Sequence, residues 1–221
     1  MVRIYPAIMG INVIEVEKLE LLKGSFDSVH IDVMDNIFVP NVTEGAELIN
    51  DYATKEGFFV WVHLMMKDPM LFYNKCDLPE GSMVSFHIES CEDILGAIKT
   101  IKEKKHSASI AISPKTAVEE LVPFLNVVDQ VLLMSVEPGF SGQSFLKGVL
   151  NKLENLVSYK RVSKLEFRIG MDGGINKKNI GELAKKGVDD FAVATALFGQ
   201  SDPVGALKEL YEIIEDSKIG I

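Results

Sequence analysis

Cysteine is nearly absent from this chain, which holds only Cys76 and Cys91, far apart and without metal-finger or paired-thiol spacing. That excludes a disulfide scaffold and leaves two buried, inert thiols of a reduced, cytoplasmic protein as the expectation. Basic charge is also short: 23 Lys and Arg stand against 32 Asp and Glu, a formal net charge of -9. A polyanion normally needs a basic face, so neither nucleic acid nor an anionic membrane is expected as a partner. No apolar run approaches the roughly 18 residues that would suggest a membrane span. Met1, Val2 and Arg3 lead into Ile4 and Tyr5 without an export signal's long apolar stretch and small-residue cleavage site. Linkers rich in Pro, Gly or Ser and low-complexity segments are missing as well. So is a G-x-G-x-x-G turn, since the first apolar run continues into Met9, Gly10, Ile11 and Asn12.

What is present is an ordinary globular composition, 47% hydrophobic and 25% charged, which is too apolar for a disordered chain. Over 221 residues, short β-branched runs alternate with longer stretches of helical period. The runs fall at 4–9, 28–34, 59–65, 82–87, 107–112, 130–136, 166–171 and 190–194, and amphipathic stretches at 13–23, 91–105, 145–159, 179–186 and 203–217. About eight strands alternating with helices predict an α/β fold, a single (β/α)8 TIM barrel spanning 1–221 as one domain. An open doubly wound sheet would show the same alternation, but the strand count and the missing glycine fingerprint favour the barrel. The run Lys102 to Lys105 suits the negative pole of a helix dipole and reads as a solvated terminus.

The chemistry-bearing residues sit on these strands. In HIDVMD, His30, Asp32 and Met34 are two apart and therefore share a face, while Ile31 and Val33 suit packing under the outer helices. WVHLMM repeats the arrangement with His63 and Met65. MDGGIN delivers Asp172 before two glycines at the end of the seventh strand, the rim where barrel active sites are built. Singly, each is an ordinary core histidine or turn aspartate; jointly, at equivalent ends of three strands, they predict one divalent metal site. Two imidazoles and two carboxylates suit Zn²⁺, Mn²⁺, Fe²⁺ or Co²⁺. Three glycine-bearing turns offer phosphate sites: EPGFSGQSF over 137–145, DGGI over 172–175, and Ala194 with Thr195, where a short helix opens. His87 in FHIES reads as a hydrogen-bonding or packing residue outside the ligand set, and His106, among lysines, as solvent-facing.

These segments, with YPAIM, FVPN and ISPKT, resemble the ribulose-phosphate 3-epimerase family over nearly the whole chain; HIDVMD with FVPN and SVEPGF with GQ are the most specific. The resemblance implies metal ligation by His30, Asp32, His63 and Asp172, with Asp32 and Asp172 also serving as the catalytic acid/base pair. It implies substrate and phosphate contacts from His63, Gly139, Phe140, Ser141, Gly142, Gly173, Gly174, Ala194 and Thr195. Met34, Met65 and Met134 fall into place as a soft wall beside the site or as plain core. The implied partner is a small phosphorylated ketose, and the implied assembly a homo-oligomer. The chemistry is coherent: the C3 proton of a 2-ketose is acidic because the carbonyl takes up charge as an enediolate, which a divalent cation stabilises. Inversion then needs two carboxyl groups on opposite faces of C3.

Several positions depart from the family pattern. Ala7 stands where Ser is common, Asn36 and Ile37 where Gly and His are usual, Ser113 for a frequent Asn, and Ala194 with Thr195 for Gly and Ser. These changes bear on the sugar more than on the reaction type. Interconversion of D-ribulose 5-phosphate and D-xylulose 5-phosphate is the first candidate, with D-allulose 6-phosphate close behind. A non-catalytic phosphosugar-binding barrel is a third reading. A lyase like the decarboxylase relatives would need an Asp-x-Lys-x-x-Asp array, and Met34 occupies the lysine position.

Overall fold

Eight parallel strands close on themselves in sequence order. They are β1 Arg3–Met9, β2 Ser28–Met34, β3 Phe59–Met65, β4 Met83–His87, β5 Ser107–Ile112, β6 Gln130–Met134, β7 Arg168–Asp172 and β8 Asp190–Val193. The computed structural model describes residues 1–43, 45–56 and 59–219. Helices α1 Val13–Glu20, α2 Ala46–Glu56, α3 Pro69–Tyr73, α4 Ile94–Glu103, α5 Val149–Val162, α6 Ile180–Lys185, α7 Thr195–Phe198 and α8 Pro203–Ile219 complete the (β/α)8 barrel. Among the described residues, no helix is long and apolar enough to cross a membrane.

Strand alternation sorts the side chains into two layers. Ile31, Val33, Val62, Leu64, Ile169 and Met171 turn outward into the large core beneath the helices. Tyr5, Trp61, Ala111, Leu132, Met134 and Val136 pack inside the barrel. The interior also carries a polar plug: Ser109 Oγ donates to Gln130 Oε1 at 2.8 Å, and Gln130 Nε2 donates to Asp190 Oδ2 at 2.8 Å. Arg168 grips the fully buried Asp190 carboxylate in two-pronged fashion, Nε to Oδ2 at 2.7 Å and an Nη to Oδ1 at 2.5 Å. A buried carboxylate so held is satisfied rather than reactive.

Some expectations shift. The connection from β5 to β6 carries only a 3-10 segment, Val118–Phe124, with Pro123 inside it. β6 stops at Met134, and β7 begins later than expected and includes Asp172, whose carbonyl accepts from Ser135 N at 2.7 Å. His106 is not solvent-facing. The lysine run leads into a turn with Lys105 at φ 61°, which swings the imidazole inward. There its Nδ1 lies 2.7 Å from the Tyr73 hydroxyl and its Nε2 donates to Leu78 O at 3.2 Å. The thiols are both unbonded, but only Cys76 is buried, while Cys91 is half-buried. Burial pushes Cys76 up to about 12 and Cys91 up to about 11, so neither is a ready nucleophile.

Candidate active site

The strand register assembles the site. Asp32 and His63 are direct partners across β2 and β3, and His30 lies one inward step below Asp32 on the same strand. Asp172 ends β7, with β8 and β1 between it and β2, so it reaches the others from across the barrel mouth. His30 Nε2 is 3.1 Å from Asp32 Oδ1 and 3.8 Å from Asp172 Oδ2; His63 Nδ1 is 2.9 and 3.5 Å from the same two oxygens. One donor atom from each of the four residues lies within 4.8 Å of all the others. Both imidazoles are fully buried, while the carboxylates keep 15% and 13% exposure, so the acids face the cavity and the bases lie beneath.

The electrostatics follow from that crowding. Burial alone would raise the Asp32 pKa, but the charge and hydrogen bonds of His30 and His63 outweigh it and hold the carboxyl below the usual range. For His63, burial opposes protonation, yet hydrogen bonds to Asp172 and Asp32 win and push it up to about 9. Burial keeps His87 below its ordinary value in spite of Glu89 beside it.

The donors fit a cation. Four ligand atoms about 2.1 Å from a tetrahedral ion stand roughly 3.4 Å apart, and the four imidazole–carboxylate separations, 2.9–3.8 Å, bracket that spacing, all donors lying within 4.8 Å of one another. His30 Nδ1 is buried and has no hydrogen-bond partner among the described residues, which leaves Nε2 as the ring nitrogen aimed at the cluster.

Above the four residues opens a cavity of about 530 Å³, a common size for a small-molecule site. Its walls include Ala7, Asp32 and Asp172, the three methionines Met34, Met65 and Met134, the turn Gly139, Phe140, Ser141 and Gly142, and Gly173, Gly174, Ala194 and Thr195. The predicted phosphate turns therefore border the same space as the two carboxylates, whereas His63, also expected to touch substrate, is fully buried beneath them and does not line the cavity. The glycines at 173 and 174 are dictated by geometry: both have positive φ, and a Cβ on them would stand 2.4 Å from Val136 Cγ2 and 2.6 Å from Phe145 N. The loop after β7 thus lies flush against the loop after β6. Asn176 and Asn179 both donate to Gly174 O, at 2.9 and 3.0 Å, fixing the turn's orientation.

The departures from the family pattern now have physical readings. Asn36 has φ 58°, a left-handed conformation that glycine adopts freely and asparagine tolerates. Ile37 is 72% exposed and lies outside the cluster. Ala7 lines the cavity, so the missing hydroxyl is a real loss at its wall.

Sequence reasoning overlooked the residues that hold this machinery in place. Ser135 Oγ lies 2.8 and 2.6 Å from the carbonyls of Asp172 and Gly173, and Asn41 ties the loop after β2 to Gly139 O at 3.3 Å. Asp35 accepts from Ile37 N, Phe38 N and Lys67 N at 2.8, 2.9 and 2.7 Å, linking the loops after β2 and β3. Glu89 was legible: HIE in FHIES repeats the His-x-acid spacing of HID, and its carboxylate meets His87 Nδ1 at 3.0 Å.

A closed barrel with two imidazoles and two carboxylates under a glycine-walled cavity at its mouth defines a (β/α)8 protein with a cluster that could hold a cation beneath a small-molecule-sized space. Residues 3–198 match the model of the ribulose-phosphate 3 epimerase family. The chain belongs to that family. Among its relatives are the ribulose-phosphate 3-epimerases of Serratia marcescens, 37% identical over 82% of this chain and 87% of the relative, and of Bacillus subtilis, 32% identical over 95% and 98%. That of Escherichia coli is 34% identical over 86% and 84%. Solved structures share the fold at far lower identity. A 3-keto-L-gulonate-6-phosphate decarboxylase from Vibrio cholerae superposes with TM-score 0.68 at 15% identity, covering 98% of this chain and 97% of the other. A 3-hexulose-6-phosphate synthase from Salmonella typhimurium also gives 0.68, at 16% identity over 97% and 99%.

Proposed function

We propose that this chain is a metal-dependent ketose-phosphate 3-epimerase acting on D-ribulose 5-phosphate and D-xylulose 5-phosphate. The observation that carries the reading is the meeting of Asp32 and Asp172, from opposite sides of the barrel mouth, with His30 and His63 inside 4.8 Å. An epimerase needs two carboxyl groups addressing one carbon from two sides.

In this reading the glycine turns at 139–142 and 173–174, with Ala194 and Thr195, hold the phosphate and set the sugar's depth in the cavity. Asp32, kept ionised by the imidazoles beneath it, takes the C3 proton from one face. Asp172 returns a proton to the other face, and the two exchange roles in the reverse direction. Met34, Met65 and Met134, each at most 3% exposed, present a soft apolar wall that keeps water from the reacting carbon. A divalent ion held by His30, Asp32, His63 and Asp172 would supply Lewis acidity toward the charge that develops on the C2 and C3 oxygens. The donor set admits Zn²⁺, Mn²⁺, Fe²⁺ or Co²⁺. Two unbonded thiols with raised pKa values suit a reduced cytoplasmic setting.

The test is incubation of the metal-loaded protein with D-ribulose 5-phosphate in D₂O. Deuterium at C3 together with D-xylulose 5-phosphate is the expected result. Absence of label with every pentulose and hexulose phosphate tried would leave a binding protein in place of an enzyme.

A further inference from the structure

His63 is the one residue of the four-residue cluster whose second ring nitrogen is committed to another side chain on a continuous hydrogen-bonded path. Its Nδ1 faces Asp32, and its Nε2 lies 3.0 Å from Nε2 of His87. The two rings are nearly parallel, 20° apart with centroids 5.1 Å from each other. His87 Nδ1 in turn lies 3.0 Å from Glu89 Oε2. The other carboxylate oxygen, Oε1, accepts from Ser113 N at 2.7 Å and from the Thr116 hydroxyl. Lys152 Nζ donates to the carbonyls of Ser113, at 2.9 Å, and Thr116, pinning that loop from behind.

The proton positions along this path follow from donor and acceptor capacity. Glu89 is a pure acceptor, so a singly protonated His87 carries its proton on Nδ1 and accepts at Nε2. The only donor facing His87 Nε2 on this path is His63 Nε2, which must therefore hold a proton. Nδ1 is then the only nitrogen of His63 free to give up a proton for a cation.

We propose that Glu89 is a positioning residue for the metal centre: acting through His87, it locks a proton on His63 Nε2 and so keeps Nδ1 available as a ligand. This rests on the reading above, in which His63 binds the ion. Outer partners of this kind orient ligating histidines and select their tautomer. Here the outer path is two residues long, and it ends on the ISPKT loop, giving that segment a part in the metal site without any contact to it.

Glu89→Gln tests the idea without removing bulk. The Oε1 side faces two donors, so the amide oxygen belongs there and the NH₂ faces His87 Nδ1. That nitrogen must then accept, His87 Nε2 becomes the donor, and His63 is driven to carry its proton on Nδ1. Zn²⁺ titration of the chelator-stripped proteins reads the consequence. We expect wild type to bind one ion and Glu89→Gln to bind it about 10- to 100-fold more weakly. ¹⁵N imidazole spectra of the Zn²⁺-loaded wild type supply a readout that a merely structural role would not move. They should show protonated Nε2 on His63 and protonated Nδ1 on His87. Equal Zn²⁺ affinity in the two proteins, or the opposite proton pattern in wild type, would overturn the proposal while leaving the epimerase reading intact. A wild type that binds no Zn²⁺ through His63, judged against His63→Ala, would overturn that reading and this one with it.

Discussion

Asp32 and Asp172 converge from opposite sides of the barrel on one imidazole nitrogen, their oxygens standing 2.9 and 3.5 Å from His63 Nδ1. Both carboxylates also border the cavity, so each has a partner below and a ligand space above.

That arrangement makes the removal of one carboxylate informative. Asp172→Asn keeps the shape and hydrogen-bonding reach of the side chain but takes away the proton donor on one face. Loss of a general acid/base group is worth about 10²- to 10⁴-fold in rate, and here it falls on the step that inversion requires. The expected outcome is kcat for epimerisation reduced by at least that range, with D-xylulose 5-phosphate no longer formed from D-ribulose 5-phosphate in D₂O. Inorganic phosphate, which the proposed function assigns to the glycine turns alone, should bind within a few-fold of wild type by calorimetry. Unimpaired turnover in this variant would remove Asp172 from the reaction.

The phosphate end depends on two backbones lying against each other. A methyl group at position 174 would meet the Phe145 nitrogen at 2.6 Å, and φ there is 62°. Gly174→Ala therefore has to separate the loops after β6 and β7 or strain the turn. A destabilisation of roughly 1–3 kcal/mol is expected from the backbone alone. Thermal unfolding checks the first effect, and inhibition by inorganic phosphate checks a weakening of anion binding. A variant with unchanged melting and unchanged phosphate inhibition would show that the close approach is dispensable.

Much of this was legible beforehand, and the reasons differ from place to place. β2, β3 and β5 fall at the expected residues because parallel strands covered on both faces are written as short, mostly apolar runs carrying Val and Ile. Pairing at i and i+2 within HIDVMD and WVHLMM was enough to place His30, Asp32 and His63 on one face. Less was visible where one local signal competed with another. The seventh run is expected to end at Met171 because Asp172 precedes two glycines, yet the ladder to β6 and β8 extends through Asp172, so its direction is set by the strand. α2 escaped notice because its inner face is carried by Ala46, Ile49, Tyr52 and Ala53, only one of them strongly apolar. The supporting hydrogen bonds of Ser135 and Asp35 depend on loop geometry, which residue spacing does not encode, whereas the Glu89 contact to His87 was written in the His-x-acid spacing.

Glu89 also ties stability to pH. Burial would raise its pKa, but His87, Thr116 and Ser113 pull it down to about 2 from an ordinary 4.5. A carboxyl depressed on folding contributes stability above its unfolded pKa and loses it as pH falls toward the folded value. The contribution is at most about 3 kcal/mol and should fade between pH 4.5 and 2. Urea unfolding of wild type and Glu89→Gln should show a gap at pH 6 that narrows steadily below pH 4.5. A gap independent of pH would mean that the carboxylate's charge has no part in holding the loop.

A last variant separates the scaffold from the site. Asp190 is fully buried, and among the described residues Arg168 is the one that forms an ion pair with it. Arg168→Met leaves that carboxylate with the Gln130 amide as a hydrogen-bond donor but without its ion-pair partner, the charge of Arg3 acting only from farther away. Removing one member of a buried pair typically costs 3–5 kcal/mol, because the orphaned charge cannot return to water. Asp172 is on the same strand as Arg168, but at its opposite end and with its carbonyl held by Ser135, so the geometry of the four-residue cluster should survive in the folded population. The expected result is a urea midpoint shifted by that amount with kcat/KM of the folded protein within about 3-fold of wild type. A large fall in kcat/KM without loss of stability would mean that the interior plug reaches the chemistry, and that the barrel's two ends are not independent.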